Sequence, residues 1–524
     1  MIPVSADHRP APRTRHRRRA AVALASVAAL LLAGCVGAKQ QTDVTATSTG
    51  SATGGDVQGL DAIYAQQLDW SSCGDSGDDI ECATVVVPLD WDDPEGDTIT
   101  LEINRHQATG DSLGSLLINP GGPGGSGLDA LASIALDRFG DDVIAQYDLI
   151  GFDPRGVGES TPVTCVDGET MDTITSTDFD YSTDEGIAAA EAAYGAVGAG
   201  CLESTGSVLE HVDTVSAAKD MDVIRAVLGD DTLNYVGYSY GTQLGATYAA
   251  LFPDTVGRMV LDGAVDPTLS SQELALGQAV GFENALRAYV EDCQAGSDCP
   301  MTGSVDDGMA QIKALLDRAR QSPLSTGTSR ELTGALAFTG IAVTLYDETS
   351  WSYLTMGLSA ALNDADGSVL LALSDIYYDR DSDGTYSTNS TEAFWAIGCA
   401  DDRGTTDVDQ MRTDAAEIEA AAPTVGYFFG YGGTICAQWP VAEAGGLDDY
   451  SAEGAAPIVV IGTTNDPATP YEWAESLAQT LSSGTLLTYE GEGHTAYGRS
   501  NSCILDAVDD YLIDGTVPAE GTTC

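Results

Sequence analysis

The stretch from Leu233 to Leu251 constrains this chain more than any other. It reads LNYV, then Gly237-Tyr238-Ser239-Tyr240-Gly241, then TQLGATYAAL. An apolar strand-like run passes through a turn, with a glycine two residues to either side of a serine, into a helix-forming run free of proline. A sharp strand-to-helix turn leaves no room for side chains beside the serine and holds its hydroxyl exposed. A serine hydroxyl attacks carbonyls only when it is held beside a base. Taken alone, G-x-S-x-G is an ordinary turn; the uninterrupted strand and helix around it make Ser239 a candidate nucleophile.

The rest of the chain supplies a matching frame. Strand-like runs at 84–89, 98–106, 115–119, 147–153, 233–238 and 258–263 alternate with helical stretches, which predicts an α/β fold with a mainly parallel sheet and crossover helices. From about 268 the pattern turns helical, as at 273–292 and 307–320, and strand signals return at 456–466 and 485–494 before an amphipathic helix near 503–513. The expected layout is a core from 61–267, a mainly helical lid inserted over 268–450, and the rest of the core over 451–524.

An elbow serine needs a base. Beyond residue 34 the histidines are His106, His211 and His494. His106 lies within an alternating strand and His211 precedes a helix. His494 lies in Gly491-Glu492-Gly493-His494-Thr495, a loop just after a strand, from which an imidazole reaches over the strand ends. The acid is expected at the end of a strand between serine and histidine, the chain order of α/β-hydrolases. Asp466 fits, after IVVIGTTN; Asp262, ending RMVLDG, is its rival. The acid holds the imidazole tautomer and stabilises the imidazolium.

Attack on an acyl carbon also needs N–H donors for the developing oxyanion. The run Asn119-Pro120-Gly121-Gly122-Pro123-Gly124-Gly125-Ser126-Gly127 follows a strand, and the expected donors are the N–H groups of Gly122, with Gly121 as its alternative, and of Tyr240. As a phosphate loop the run lacks the Gly-Lys-Ser/Thr ending.

Together with Phe152-Asp153-Pro154-Arg155-Gly156-Val157-Gly158-Glu159-Ser160, the elbow, the Asp466 and His494 loops and the terminal Cys503–Cys524 segment, this run resembles the secreted tripeptidyl aminopeptidase-like branch of the proline iminopeptidase family. The likeness extends over nearly the whole chain from about residue 60. Proline iminopeptidases carry His-Gly-Gly-Pro, whereas Pro120 stands at the histidine's place here, which draws the chain towards the tripeptidyl branch. The resemblance implies an α/β-hydrolase fold with a helical lid, no cofactor, and release of short peptides from free N-termini. An ester-cleaving carboxylesterase or lipase with the same triad is the alternative, and a non-catalytic envelope-binding protein the second. Carboxylates that pair with a substrate ammonium would enforce N-terminal selection; Glu392, Asp401 and Asp402, around the apolar Phe394–Cys399 stretch, are the candidates.

The N-terminus bears on location. A basic stretch, His8 to Arg19, precedes an apolar run, Ala20 to Leu32, and then Ala33-Gly34-Cys35. The run is too short to span a bilayer, which needs ~20 residues. It predicts an export signal over 1–34, with Cys35 lipidated and anchored at the outer face of the cytoplasmic membrane, followed by a polar tether over 35–60. Membrane association is expected through that lipid alone. Arg18-Arg19 also admits a twin-arginine reading. Once Cys35 is set aside, the chain's 11 cysteines leave ten: Cys73, Cys82, Cys165, Cys201, Cys293, Cys299, Cys399, Cys436, Cys503 and Cys524. An even set in an exported chain reads as disulfides, and consecutive pairing is the simplest of many connectivities.

The whole chain carries 22 Lys and Arg against 80 Asp and Glu, a net charge of −58. Loss of residues 1–34 removes six arginines and Asp7, which makes it −63. Such a charge argues against nucleic-acid partners and leaves a peptide or small ester as the expected substrate. No metal is expected: no cysteine pair has C-x-x-C spacing, and Asp379-Arg380-Asp381-Ser382-Asp383-Gly384 opens like a calcium loop but has Ser390 where its glutamate belongs.

Overall fold

A computed structural model describes residues 59–73 and 79–524. The export signal, Cys35 and nearly all of the expected tether lie outside the described residues. Ten strands form one sheet, β1 (Ser71–Ser72), β2 (Ile80–Pro88), β3 (Thr98–His106), β4 (Ser115–Asn119), β5 (Asp148–Phe152), β6 (Leu233–Tyr238), β7 (Val256–Asp262), β8 (Ile458–Asn465), β9 (Gly484–Glu492) and β10 (Thr522–Thr523), in the order β1-β2-β3-β5-β4-β6-β7-β8-β9-β10. From β5 to β10 all neighbours are parallel. The sheet is mainly parallel, as expected; the exceptions lie at the start of the chain, where β2 pairs antiparallel with β3, and β3 with β5. Only residues 89–97 join β2 to β3, fewer than a crossover connection requires, so the two return as a hairpin.

Helices of ten residues or more are numbered α1 (Asp184–Thr205), α2 (Thr214–Leu228), α3 (Tyr240–Leu251), α4 (Ser271–Ala295), α5 (Val305–Gln321), α6 (Gly334–Leu345), α7 (Trp351–Asn363), α8 (Ser368–Tyr377), α9 (Ser390–Asp401), α10 (Val408–Ala421), α11 (Tyr471–Thr480) and α12 (Ser502–Asp514). Their ends follow local chemistry. Asp213 accepts the Ser216 N–H at the start of α2, which stops at Gly229 in the left-handed region. Ser270 and Glu273 form a capping box at α4.

Three apolar cores result. β4, built of SLLIN, is buried throughout, as befits a central parallel strand covered on both faces. One face of the sheet packs on α2, α3 and α11, the other on α12 and the segment around Phe139 and Tyr147. The third core joins α4–α8 and α10, all between β7 and β8. The helix α9 belongs elsewhere: Ala393, Trp395, Ile397 and Cys399 are buried in the sheet's own core with Trp439 and Val441. The stretch 268–450 is thus two packing units in space. Disulfides join Cys73 to Cys82, Cys165 to Cys201, Cys293 to Cys299, Cys399 to Cys436 and Cys503 to Cys524, the consecutive pattern. Among the described residues no helix is long and apolar enough to cross a membrane.

Candidate active site

Between the last residue of β6 and the first of α3, Ser239 has φ 57° and ψ −124°, a left-handed conformation uncommon for a residue with a side chain. The surroundings impose it. Ser239 N–H donates to the Asp262 carbonyl at 2.9 Å, and its own carbonyl accepts from Thr242 N–H at 2.8 Å and Thr242 Oγ1 at 2.6 Å. The glycine-rich run packs directly on this turn. A Cβ on Gly121 would lie 2.4 Å from the Tyr238 carbonyl and 2.9 Å from Ser239 Cβ, and one on Gly241 2.8 Å from Asn119 Oδ1, so no larger residue fits at either position.

Asp466 and His494 meet over the ends of β8 and β9. His494 Nδ1 lies 2.9 Å from each carboxylate oxygen of Asp466, whose side chain is fully buried. The carboxylate also accepts from the N–H groups of Ala468, Thr469 and Thr495 and from Thr469 Oγ1 at 3.0 Å, which fixes its plane. With Asp466 accepting at Nδ1, Nε2 is left as the free basic nitrogen. The loop is held from both sides: His494 N–H donates to the Tyr346 carbonyl at 2.8 Å, and Arg499 Nε and Nη2 donate to the carbonyls of His494 and Glu492, both at 2.8 Å.

Asp262, the rival acid, is spent on other partners. Its carboxylate accepts from Ala496 N–H at 2.9 Å and Tyr497 N–H at 2.7 Å, steadying the backbone just past His494. Burial pushes its pKa up to about 6, against those N–H donors. His106 pairs with Ile80 and Leu149 across the sheet, and the His211 carbonyl accepts from Arg155 Nη1 at 2.7 Å; neither ring has a carboxylate partner among the described residues.

Of the expected oxyanion donors, the Gly121 N–H is already committed to Asn119 Oδ1 at 3.0 Å. The N–H groups of Gly122 and Tyr240 have no acceptor among the described residues, and Gly121, just before Gly122, packs on Ser239 and the Tyr240 nitrogen.

Glu392, Asp401 and Asp402 each have their own partners. Glu392 Oε1 accepts from Cys165 and Val166 N–H at 2.8 and 2.9 Å. Glu392 also lines a 730 Å³ cavity with Gly124, Ser126 and Glu159. Asp401 accepts from Thr214 N–H at 2.7 Å and Thr214 Oγ1 at 2.5 Å, and that oxygen lies 2.6 Å from the Tyr240 hydroxyl. Asp402 is exposed and accepts from Gly404 N–H. Each of the three carboxylates thus accepts from the protein's own donors, and of the three only Glu392 lines the 730 Å³ cavity. In the calcium-like run, Asp379 accepts from Thr388 Oγ1 and Arg380 pairs with Asp172, the contacts of a folded turn.

Sequence reasoning missed Thr469, Thr214, Tyr346 and Arg499. Thr469 alone carried a signal, its place three residues after the acid in Asp466-Pro467-Ala468-Thr469.

A family model described as TAP-like protein matches residues 422–524. The chain is 39% identical to serine protease Hip1 of Mycobacterium tuberculosis over 522 residues, 96% of each chain. It is 37% identical to carboxylesterase B of the same species, covering 88% of this chain and 91% of the relative. It is 32% identical to tripeptidyl aminopeptidase of Streptomyces lividans, covering 87% and 86%. With relatives of that likeness spanning nearly its whole length, the chain belongs to the tripeptidyl aminopeptidase-like α/β-hydrolases.

Proposed function

We propose that the protein is an exported serine peptidase that releases tripeptides from free N-termini through an acyl-enzyme on Ser239. His494 Nε2 takes the hydroxyl proton as Ser239 Oγ attacks the scissile carbonyl. The N–H groups of Gly122 and Tyr240 receive the oxyanion, and His494 returns the proton to the departing amine. Water, activated by the same nitrogen, then releases the acyl group, while Asp466 holds the imidazole throughout. The observation that carries this reading is the contact of His494 Nδ1 with buried Asp466 at 2.9 Å, together with the positive φ that the elbow imposes on Ser239. The names of the relatives from M. tuberculosis and S. lividans support peptide substrates.

The stretch 268–450 is taken as the lid, with α9 docked on the main core. Export and lipidation at Cys35 complete the proposal and predict incorporation of labelled fatty acid that Cys35→Ala abolishes. The second reading, an esterase, rests on the relative named carboxylesterase B.

The test has two stages. Fluorophosphonate should label the protein and fail on Ser239→Ala; an intact protein that does not label contradicts the mechanism. Tripeptidyl amides with a free N-terminus should then turn over faster than acyl esters and than their N-acetylated forms. Equal rates with and without acetylation would rule out N-terminal selection, and preference for esters would establish the second reading.

A further inference from the structure

Beside the imidazole lies a cavity of 260 Å³ bounded by Arg138, Phe139, Tyr238, Tyr346, His494 and Arg499. Its charge runs against the rest of the molecule. In a chain with 22 basic and 80 acidic residues, two guanidinium groups border one small space. Arg155, Arg330 and Arg380 each face an aspartate, whereas Arg138 pairs with no acid among the described residues. Arg499 spends Nε and Nη2 on backbone carbonyls and keeps Nη1. The Tyr238 hydroxyl is buried without a hydrogen-bond partner among the described residues, and burial pushes the phenol far up, so it remains an O–H donor. Asp347 is the one acid bordering the space, and its Oδ1 already accepts from Thr349 N–H at 2.9 Å.

Position says what the cavity receives. It touches Pro120, Tyr238 and His494, at one end of the glycine-rich run; the 730 Å³ cavity touches Gly124 and Ser126, at the other. In acyl transfer from serine the histidine protonates the leaving amine, so the departing part lies on the imidazole side. The volume is below the ~300–1,000 Å³ of sites for drug-sized ligands and suits a single residue.

We infer that this cavity is the subsite for the departing residue, and that Arg138, aided by Arg499 and the Tyr238 hydroxyl, binds a carboxylate carried by that residue. The carboxylate is either the terminal one, when a single residue follows the scissile bond, or the side chain of Asp or Glu at that position. A guanidinium fork matches either. The inference rests on His494 acting as the proton donor proposed above.

The intact protein is tested on four peptides: a tripeptidyl-alanine with a free carboxylate, its C-terminal amide, and two longer amides whose departing residue is Asp or Asn. The acid should exceed its amide in kcat/KM by about tenfold, or the Asp peptide the Asn peptide by the same factor, as expected for one partly buried charge-assisted contact. The first result assigns the terminal carboxylate and the second the side chain. In Arg138→Gln the preference should fall towards one; being a ratio within one variant, it is insensitive to how much of that variant folds. An enzyme with both ratios at one, a preference kept by Arg138→Gln, or an enzyme that labels and cleaves esters but none of the four peptides overturns the inference. Absence of both labelling and turnover overturns the reading of Ser239 and His494 on which it rests.

Discussion

Asp401 links the helix α9 to Tyr240, the residue after Ser239, through Thr214 and the Tyr240 hydroxyl. Burial pushes its carboxyl from the ordinary 3.8 up to about 7; the Thr214 donors oppose the shift, and the charges of Asp213 and Asp402 add to it. Between these values the folded protein holds a proton that the unfolded chain releases, so stability attributable to this group falls as pH rises from about 4 to about 7. Asn in its place carries no charge. The melting temperature of Asp401→Asn minus that of the unaltered protein should therefore be more positive at about pH 8 than at about pH 5; a difference that ignores pH would contradict the shift. Asp262 is also raised, but it is present in both proteins and cancels. This carboxylate also marks where sequence reading stops. Ser239, Asp466 and His494 were legible because each sits at a strand end beside glycine or proline, a local signature. The occupation of Asp401 by Thr214 joins residues 187 positions apart, and no local pattern announces it.

Among the elements, β2 to β9 were read to within a few residues because apolar runs end at turn residues, as in SLLIN before Pro120-Gly121, whereas the two-residue β1 and β10 are too short to show a run. Direction was the weaker inference: alternation of strands and helices hid the hairpin of β2 and β3. Besides the β3–β5 ladder, Arg155 ties the end of β2 to α2. Its guanidinium is fully buried, pairs with Asp220 on α2 at 2.7 Å through both Nε and Nη2, and donates to the carbonyls of Pro88, Leu89 and His211. Removing one partner of a buried pair strands the other charge, at a cost of about 3–5 kcal/mol. Arg155→Met should lower the denaturant midpoint accordingly, and adding Asp220→Leu should restore much of the loss. A double variant no better than the single would mean that the carbonyl contacts, rather than the stranded carboxylate, dominate.

For the whole molecule the governing quantity is charge. At −58 the folded chain repels itself, and compaction brings like charges within reach of one another. Salt shortens that reach, from ~30 Å at 0.01 M to ~3 Å at 1 M. The melting temperature should rise over that range, and one that stays flat or falls would show that the ion pairs of Arg155, Arg330 and Arg380 outweigh the repulsion.

The carbonyl of Tyr346 belongs to the inserted helices, yet it accepts the backbone N–H of His494 at 2.8 Å. The insertion is therefore no detachable cover. Trimming it would leave the His494 loop without one of its anchors, so deletion of the insertion should lower activity rather than broaden it. Exchange of this insertion between relatives has to carry the Tyr346 peptide group along, because the histidine loop hangs on it.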